Sequence, residues 1–209
     1  MSNQLNDDGL NFLFCKARTS NGWSNKPVTD DILRQLYYTV KRGGSSANCS
    51  PVQILFLRTP EEKHRLLPAL APGNVDRTMI APVTAIIGYD GKFYEQLPWR
   101  TPHVDDRSWF ADTPELAQMA ARGNGSLQGA YFVISACALG LVCKPIAGFD
   151  DAKVDLEFFA AEQRTNFEQE YSPDRHIKTS FLCNFGYGDP AKFHRRDPPP
   201  DFDEVGELL

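Results

Sequence analysis

A chain of 209 residues fits one compact domain of ordinary α/β size. Hydrophobic residues at 42% and charged residues at 23% exclude disorder over most of the length. The net charge of −5, from 22 Lys and Arg against 27 Asp and Glu, excludes a generic binder of nucleic acid or anionic membrane, since such proteins need a basic face. A small anion remains open, because a few local cations hold one phosphate regardless of net charge.

Residues 1–8 are polar and acidic and lack the basic and apolar regions of a signal peptide. The longest apolar run, 131–143, falls short of the roughly 18 residues of a bilayer span and reads as a buried core helix. The five cysteines are Cys15, Cys49, Cys137, Cys143 and Cys183. An odd count without a C-x-x-C pair predicts free thiols in a reducing cytoplasm rather than disulfides or a zinc site.

The first clear helix follows Pro27, with Thr29 as cap, Asp30 and Asp31 at its positive end, and Ile32, Leu33, Leu36, Tyr37 and Val40 on one face. Lys41, Arg42 and then Gly43-Gly44 end it. A strand over Val52–Leu57 follows. Thr59-Pro60-Glu61-Glu62 is a capping box with Pro at the first helical position, and Pro68 cuts that helix short. Residues 81–89 read as a buried strand, and 90–112 as a loop or lid. Thr113-Pro114-Glu115 opens a helix that continues, or kinks at Gly123 and Gly125, into an apolar central helix over 126–141. Residues 154–161 read as a further helix, 162–179 as an exposed charged excursion, and 181–186 as a strand. Pro198-Pro199-Pro200 predicts an extended arm over 197–209 of the kind that lies on a partner. The expected fold is a single α+β domain over 1–209 in three layers, α/β/α, with a mostly antiparallel sheet and a buried central helix.

Gly123, Gly125 and Gly129 follow helical residues rather than a strand, so they read as close helix packing and not as a dinucleotide loop. No G-x-S-x-G elbow is present. His103 with Asp105 and Asp106 is the one cluster of metal-ligand types, at a spacing common in loops, and no metal is expected. Four segments carry more. Arg18, Thr19 and Ser20 offer a guanidinium fork and hydroxyls for a phosphate. Ser45, Ser46 and Asn48 follow a helix and suit the edge of a flat heteroaromatic ligand. Pro145-Ile146-Ala147-Gly148-Phe149-Asp150 brings main chain close to a ring, and His194-Arg195-Arg196 is a second cationic clamp.

In this order these segments resemble the nitroreductase family of flavin-dependent oxidoreductases. They are most similar to its malonic semialdehyde reductase (3-hydroxypropanoate dehydrogenase) subgroup. A-R-T-x-N-x-W at 17–23, A-P-V-T-A-I at 81–86, S-L-Q-G-A-Y at 126–131, A-L-G-L at 138–141 and N-F-G-Y-G-D-P at 184–190 carry that finer resemblance. It spans roughly 12–209. It implies FMN, with NADH or NADPH as donor, working by ping-pong hydride transfer in a homodimer with two shared flavin sites. Arg18, Thr19 and Ser20 would hold FMN from one subunit, and Ser45, Ser46 and Asn48 from the other. Pro145 and Gly148 would lie against the ring, Asn74 and Arg77 would face flavin and substrate, and Arg196 would clamp the phosphate, with Arg195 as rival. The substrate implied is malonic semialdehyde; the alternatives are a broad nitroaromatic or quinone reductase and a non-catalytic flavin-binding protein. Gly22, Ala147 and His194 depart from the family pattern, and Arg164, Arg175 and Lys178 lie in the charged excursion. An anionic aldehyde needs a cation near the ring, for which Arg77, Arg100, Arg107 and Arg122 are candidates.

Overall fold

The computed structural model describes residues 4–20, 22–160, 176–193 and 195–209. Its helices, in chain order, are α1 (Asp7–Leu10, continuing as a π-helical turn over Asn11–Cys15), α2 (Asp30–Val40), α3 (Pro60–Leu66), α4 (Pro72–Met79), α5 (Leu97–Arg100), α6 (Arg107–Ala111), α7 (Pro114–Ala138), α8 (Asp151–Phe159) and α9 (Phe202–Val205). The strands β1 (Val52–Leu57), β2 (Val83–Asp90), β3 (Val142–Ile146) and β4 (Ile177–Gly186) form one antiparallel sheet in the order β1-β2-β4-β3.

Local chemistry explains the starts of these elements. The Thr29 hydroxyl accepts from the Ile32 amide at the head of α2. At α3 the Thr59 hydroxyl accepts from the Glu62 amide, and the Glu62 carboxylate accepts from the Thr59 and Arg58 amides. Those two backbone donors hold the Glu62 carboxyl below the usual carboxylate range. Asp150 caps α8 through the Lys153 amide.

Helices cover both faces of the sheet, which makes three layers. On one face Leu33, Leu36 and Val40 of α2 and Phe132 and Ala136 of α7 pack on Val83, Ala85, Ile87, Cys143, Cys183 and Phe185. On the other, Leu66 of α3 and Val154, Phe158 and Phe159 of α8 pack on Ile86, Ile146 and Leu182. β2, between β1 and β4, is buried along its whole length. Such burial is the main source of stability, at about 25 cal/mol per Å² of apolar surface.

Several expectations are corrected. Residues 90–112 are not an open loop: Phe93, Leu97 and Phe110, from three short helical turns, are buried with Cys49, Tyr89, Ala117 and Ala121 in a third cluster. The 131–143 run is not one helix, because α7 ends at Ala138, Gly140 takes φ 78°, and β3 begins at Val142. Of the supposed excursion, 177–179 belongs to β4, where Lys178 pairs with Asp155 at 3.1 Å; Arg164 and Arg175 lie outside the described residues, as does His194. Asp106, expected in a loop cluster with His103, accepts from the Thr101 hydroxyl instead. In α7 no kink occurs; Gly125 and Gly129 serve close packing alone. A Cβ at Gly129 would sit 2.5 Å from the Phe181 ring, and one at Gly125 would sit 2.7 Å from Tyr89 Cβ. The opposite face of α7 leaves Met119, Leu127 and Ile134 exposed. Among the described residues no helix is long and apolar enough to cross a membrane.

The two glycine environments separate in a stability measurement. Gly129→Ala forces the β4 ring to move and should cost about 1–3 kcal/mol in urea unfolding. At Gly123 a Cβ meets nothing within 4 Å, so Gly123→Ala should gain about 0.5–1 kcal/mol from helix propensity.

Candidate functional site

β3 is an edge strand, hydrogen-bonded only to β4 among the described strands. Pro145, which has no N–H to give a ladder, is tolerated there. The register sets Cys143 against Phe185, Lys144 against Asn184 and Pro145 against Cys183. Alternation along the strand sends Cys143 into the core shared with α2 and α7 and turns Lys144 to the α4 side.

A cleft of about 590 Å³ opens at this edge. Val133 and Cys137 of α7 and Cys143 of β3 give it an apolar floor. Arg18 and Thr19 approach from the segment after the π-helical turn, Lys144 and Pro145 from β3, and Arg195, Arg196 and Asp197 from the C-terminal segment. Short pairings bring these distant parts of the sequence together: Ser20 bridges to Phe193 and Trp23 to Gly188, and Lys26 Nζ lies 3.8 Å over the Tyr187 ring. Arg18 is oriented by its own turn, with Nη1 donating to the Cys15 and Ala17 carbonyls at 2.6 and 2.8 Å.

Of the expected site residues, Arg18, Thr19, Pro145 and Arg196 line this cleft, and so does Arg195. Ser20 is buried behind it, its hydroxyl donating to the Gly22 carbonyl at 2.5 Å and accepting from the Gly22 amide. Asn74 and Gly148 meet where β3 ends: Asn74 Nδ2 and the Ala71 amide both donate to the Gly148 carbonyl at 3.0 Å. A Cβ on residue 148 would stand 2.8 Å from Asn74 Nδ2, so a side chain there would have to displace the Asn74 amide. Arg77 is one turn along α4 from Asn74. Its carbonyl accepts from Asn184 Nδ2, which also donates to the Thr78 hydroxyl, while Asn184 Oδ1 accepts from Thr84. Asn184 is thus a buried, bonded amide that ties α4 to β4, in register with Lys144 on β3.

Ser45, Ser46 and Asn48 do not reach this cleft in the same chain. The Ser46 amide donates to Asn124 Oδ1 at 2.8 Å. Asn124 precedes Val133 by nine residues on α7, about 14 Å at the helical rise. Of the four cations named for an anionic substrate, Arg107 is bound by Glu95 at 2.8–2.9 Å. Arg122 lines a separate surface cavity of about 920 Å³, and Arg100 donates to the Cys49 and Ser50 carbonyls. Arg77 stands close enough for its charge to act on Lys144.

Lys144 is the residue that sequence reasoning missed. Its signal was a lone cation inside the apolar run Val142-Cys143-Lys144-Pro145-Ile146. Burial pushes its ammonium below the ordinary lysine value, and the Arg77 charge pushes it further. The thiols in the floor go the other way. The hydrogen bond with Cys183, then burial, holds Cys143 well above the ordinary thiol value, and burial raises Cys137. They stay protonated and are poor nucleophiles. All five cysteines are free thiols. Among the described residues no group of three His, Cys, Asp or Glu side chains lies together as a metal site. The arrangement suits an elongated ligand with one anionic end and one flat end, held by a basic rim over an apolar floor.

No protein-family model matches the chain. A curated protein of Polynucleobacter asymbioticus, named as a candidate NADH dehydrogenase/NAD(P)H nitroreductase, is 46% identical over 209 residues, covering 100% of both chains. Among solved structures, a candidate nitroreductase from Bacillus subtilis shares the fold with a TM-score of 0.81 at 15% identity, over 98% of this chain and 100% of that one. A candidate nitroreductase from Exiguobacterium sibiricum, crystallised in complex with FMN, gives a TM-score of 0.77 at 14% identity over 100% of both chains. At such identities the solved structures speak to fold, whereas the full-length relative speaks to kinship: the chain belongs to the nitroreductase family.

Proposed function

We propose that this protein is an FMN-dependent NAD(P)H oxidoreductase whose acceptor is malonic semialdehyde, reduced to 3-hydroxypropanoate. The observation that carries the reading is the convergence of Arg18, Lys144, Arg195 and Arg196 with Thr19 on one cleft whose floor is apolar. The residues fit the cofactor. A phosphate monoester carries about −1.5 to −2 charges and favours guanidinium forks and a hydroxyl. A flat ring suits Pro145 and the thiol-lined floor. A volume of about 590 Å³ falls within the usual 300–1,000 Å³ of ligand pockets.

A flavin bound in this cleft would supply the hydride-transfer chemistry between NAD(P)H and the acceptor. The chain's own residues bind and orient. Arg18, Arg195 and Arg196 hold the anionic end, Asn74 and Arg77 face the ring, and the apolar floor keeps water from its underside. Arg77 and Lys144 together supply the positive field that an acceptor carboxylate needs. No triad or metal is required, in keeping with thiols held protonated.

The same reading makes the working unit a homodimer. Ser45, Ser46 and Asn48 complete the site of a second copy, which accounts for their distance from the cleft of their own chain. The exposed Met119, Leu127 and Ile134 face of α7 is an apolar stripe for that contact. The single domain over 1–209 extends as an arm over 197–209, exposing Phe202, Val205, Leu208 and Leu209, which would pack on the partner. Free thiols are in keeping with a cytoplasmic protein.

Three measurements test this reading. Arg18→Ala removes a charge-assisted phosphate contact worth about 1.5–3 kcal/mol, so FMN should bind about tenfold to a hundredfold more weakly; unchanged affinity would overturn the assignment of the cleft. An anion raises the protonation of Lys144, so FMN binding should take up a proton on the alkaline side, below the ordinary lysine value of about 10.4. Affinity should fall as pH rises through that interval, and Lys144→Met should flatten the slope. Finally, malonic semialdehyde should accelerate NAD(P)H oxidation. Turnover with nitroaromatics or quinones alone would remove the aldehyde and leave the reductase, and FMN that NAD(P)H cannot reduce would leave only a flavin-binding protein.

A further inference from the structure

The 45–50 loop holds a conformation that its residues do not favour. Ala47, Asn48 and Ser50, none of them glycine, take φ of 52°, 48° and 38°. Such residues persist in the left-handed region where the surroundings over-determine them, and they concentrate at ligand-binding positions. The side chains of Ser46 and Asn48 face outward, while Cys49 between Asn48 and Ser50 is fully buried in the cluster of Tyr89, Phe93, Leu97 and Phe110.

A charged side chain from outside the loop grips its main chain at Ser50, one of the three strained residues, and at its neighbour Cys49. Arg100 Nη1 donates to the Cys49 carbonyl at 2.5 Å and to the Ser50 carbonyl at 3.2 Å. Its other arm is set by Gln96, with Nη2 donating to Oε1 at 2.6 Å. The arginine sits on α5, whose first residue, Leu97, is fully buried, so the clamp stands on a fixed base. The other ties carry no full charge: the Ser50 amide donates to the Ser45 hydroxyl, the Ser46 amide to Asn124 Oδ1, and the Asn48 and Cys49 amides to the Ser45 and Ser46 carbonyls. Only the guanidinium brings a full charge to the two carbonyls.

We propose that Arg100 is a positioning residue for cofactor binding: through the Cys49 and Ser50 carbonyls its guanidinium holds the 45–50 loop in the left-handed form that presents Ser46 and Asn48 to the flavin of a second copy of this chain. The proposal rests on the flavin reading above. It gives Arg100 a task other than meeting an acceptor carboxylate, and it explains why a strongly basic residue spends its fork on main chain. It also connects the 93–111 segment to the site: that segment acts as a buried pedestal for the loop.

The test measures FMN affinity of the purified protein together with hydrogen exchange. Arg100→Met keeps the aliphatic stem and removes the donors. It should weaken FMN binding about tenfold and speed amide exchange over 46–50. The melting temperature of the flavin-free protein should change less than that of the flavin-loaded protein, and excess FMN should restore turnover, neither of which a purely structural role produces. Arg100→Lys, with the charge but not the fork, should fall between the two. Wild-type affinity in a folded Arg100→Met protein overturns the proposal, as does a loss of turnover that excess FMN does not repair. If Arg100→Met gives no soluble protein, Arg100→Lys decides, and wild-type affinity there overturns the proposal as well. Arg18→Ala in the same assay separates the two levels: unchanged affinity in both variants overturns the assignment of the cleft on which this proposal rests, and unchanged affinity in the Arg100 variant alone sinks only this inference.

Discussion

The pairing of β3 with β4 is the constraint on which the site depends. A strand's side chains alternate between faces, so a slip of one residue would exchange every environment along it. In the observed register Cys143 enters the core and Lys144 lies beside Asn184. A shift by one would bury an ammonium among Phe132, Phe185 and Val83 and expose a thiol. The cost of burying an unpaired charge, several kcal/mol, is enough to fix the register by itself. Once it is fixed, Pro145 lies at the open edge and the chain reaches Gly148 beside α4 with no further adjustment.

Around that strand the polar groups divide their work by depth. Asn184, Thr84 and Thr78 are buried and spend their hydrogen bonds on one another and on the Arg77 carbonyl. They hold α4 in place. The cations stand further out, on three separate segments, and gather because the bridges Ser20–Phe193 and Trp23–Gly188 tie the two ends of the chain together. A net charge of −5 therefore coexists with a basic cleft. Like charges so close repel one another, which is the electrostatic reason an anion should be drawn between them.

What the sequence made legible were features with local causes. The caps at Thr29 and Thr59, the strand Val52–Leu57 and the start of α7 at Pro114 each depend on residues within a turn or two of each other. Arg18, Thr19, Pro145 and Arg196 were legible because short motifs carry them. β3 was not: the apolar run through 131–143 contains a helix end, a glycine turn and a strand start, and burial hides all three periods. Residues 90–112 misled for the opposite reason. Phe93, Leu97 and Phe110 are buried one by one from three short turns, so no period forms, although the segment is core. Lys144 gave only the signal of a lone cation in an apolar run, because its neighbours are set by register rather than by sequence. Ser45, Ser46 and Asn48 were expected at the site, but the Ser46 amide bonds Asn124, well along α7 from the residues that line the cleft, a separation that no local motif announces.

The most direct measurement is the visible absorbance spectrum of the purified protein before and after anaerobic addition of NADH or NADPH. The account predicts a yellow protein, with about one flavin per chain, whose bands bleach when the nicotinamide is added. A colourless protein that stays colourless after incubation with FMN would contradict it.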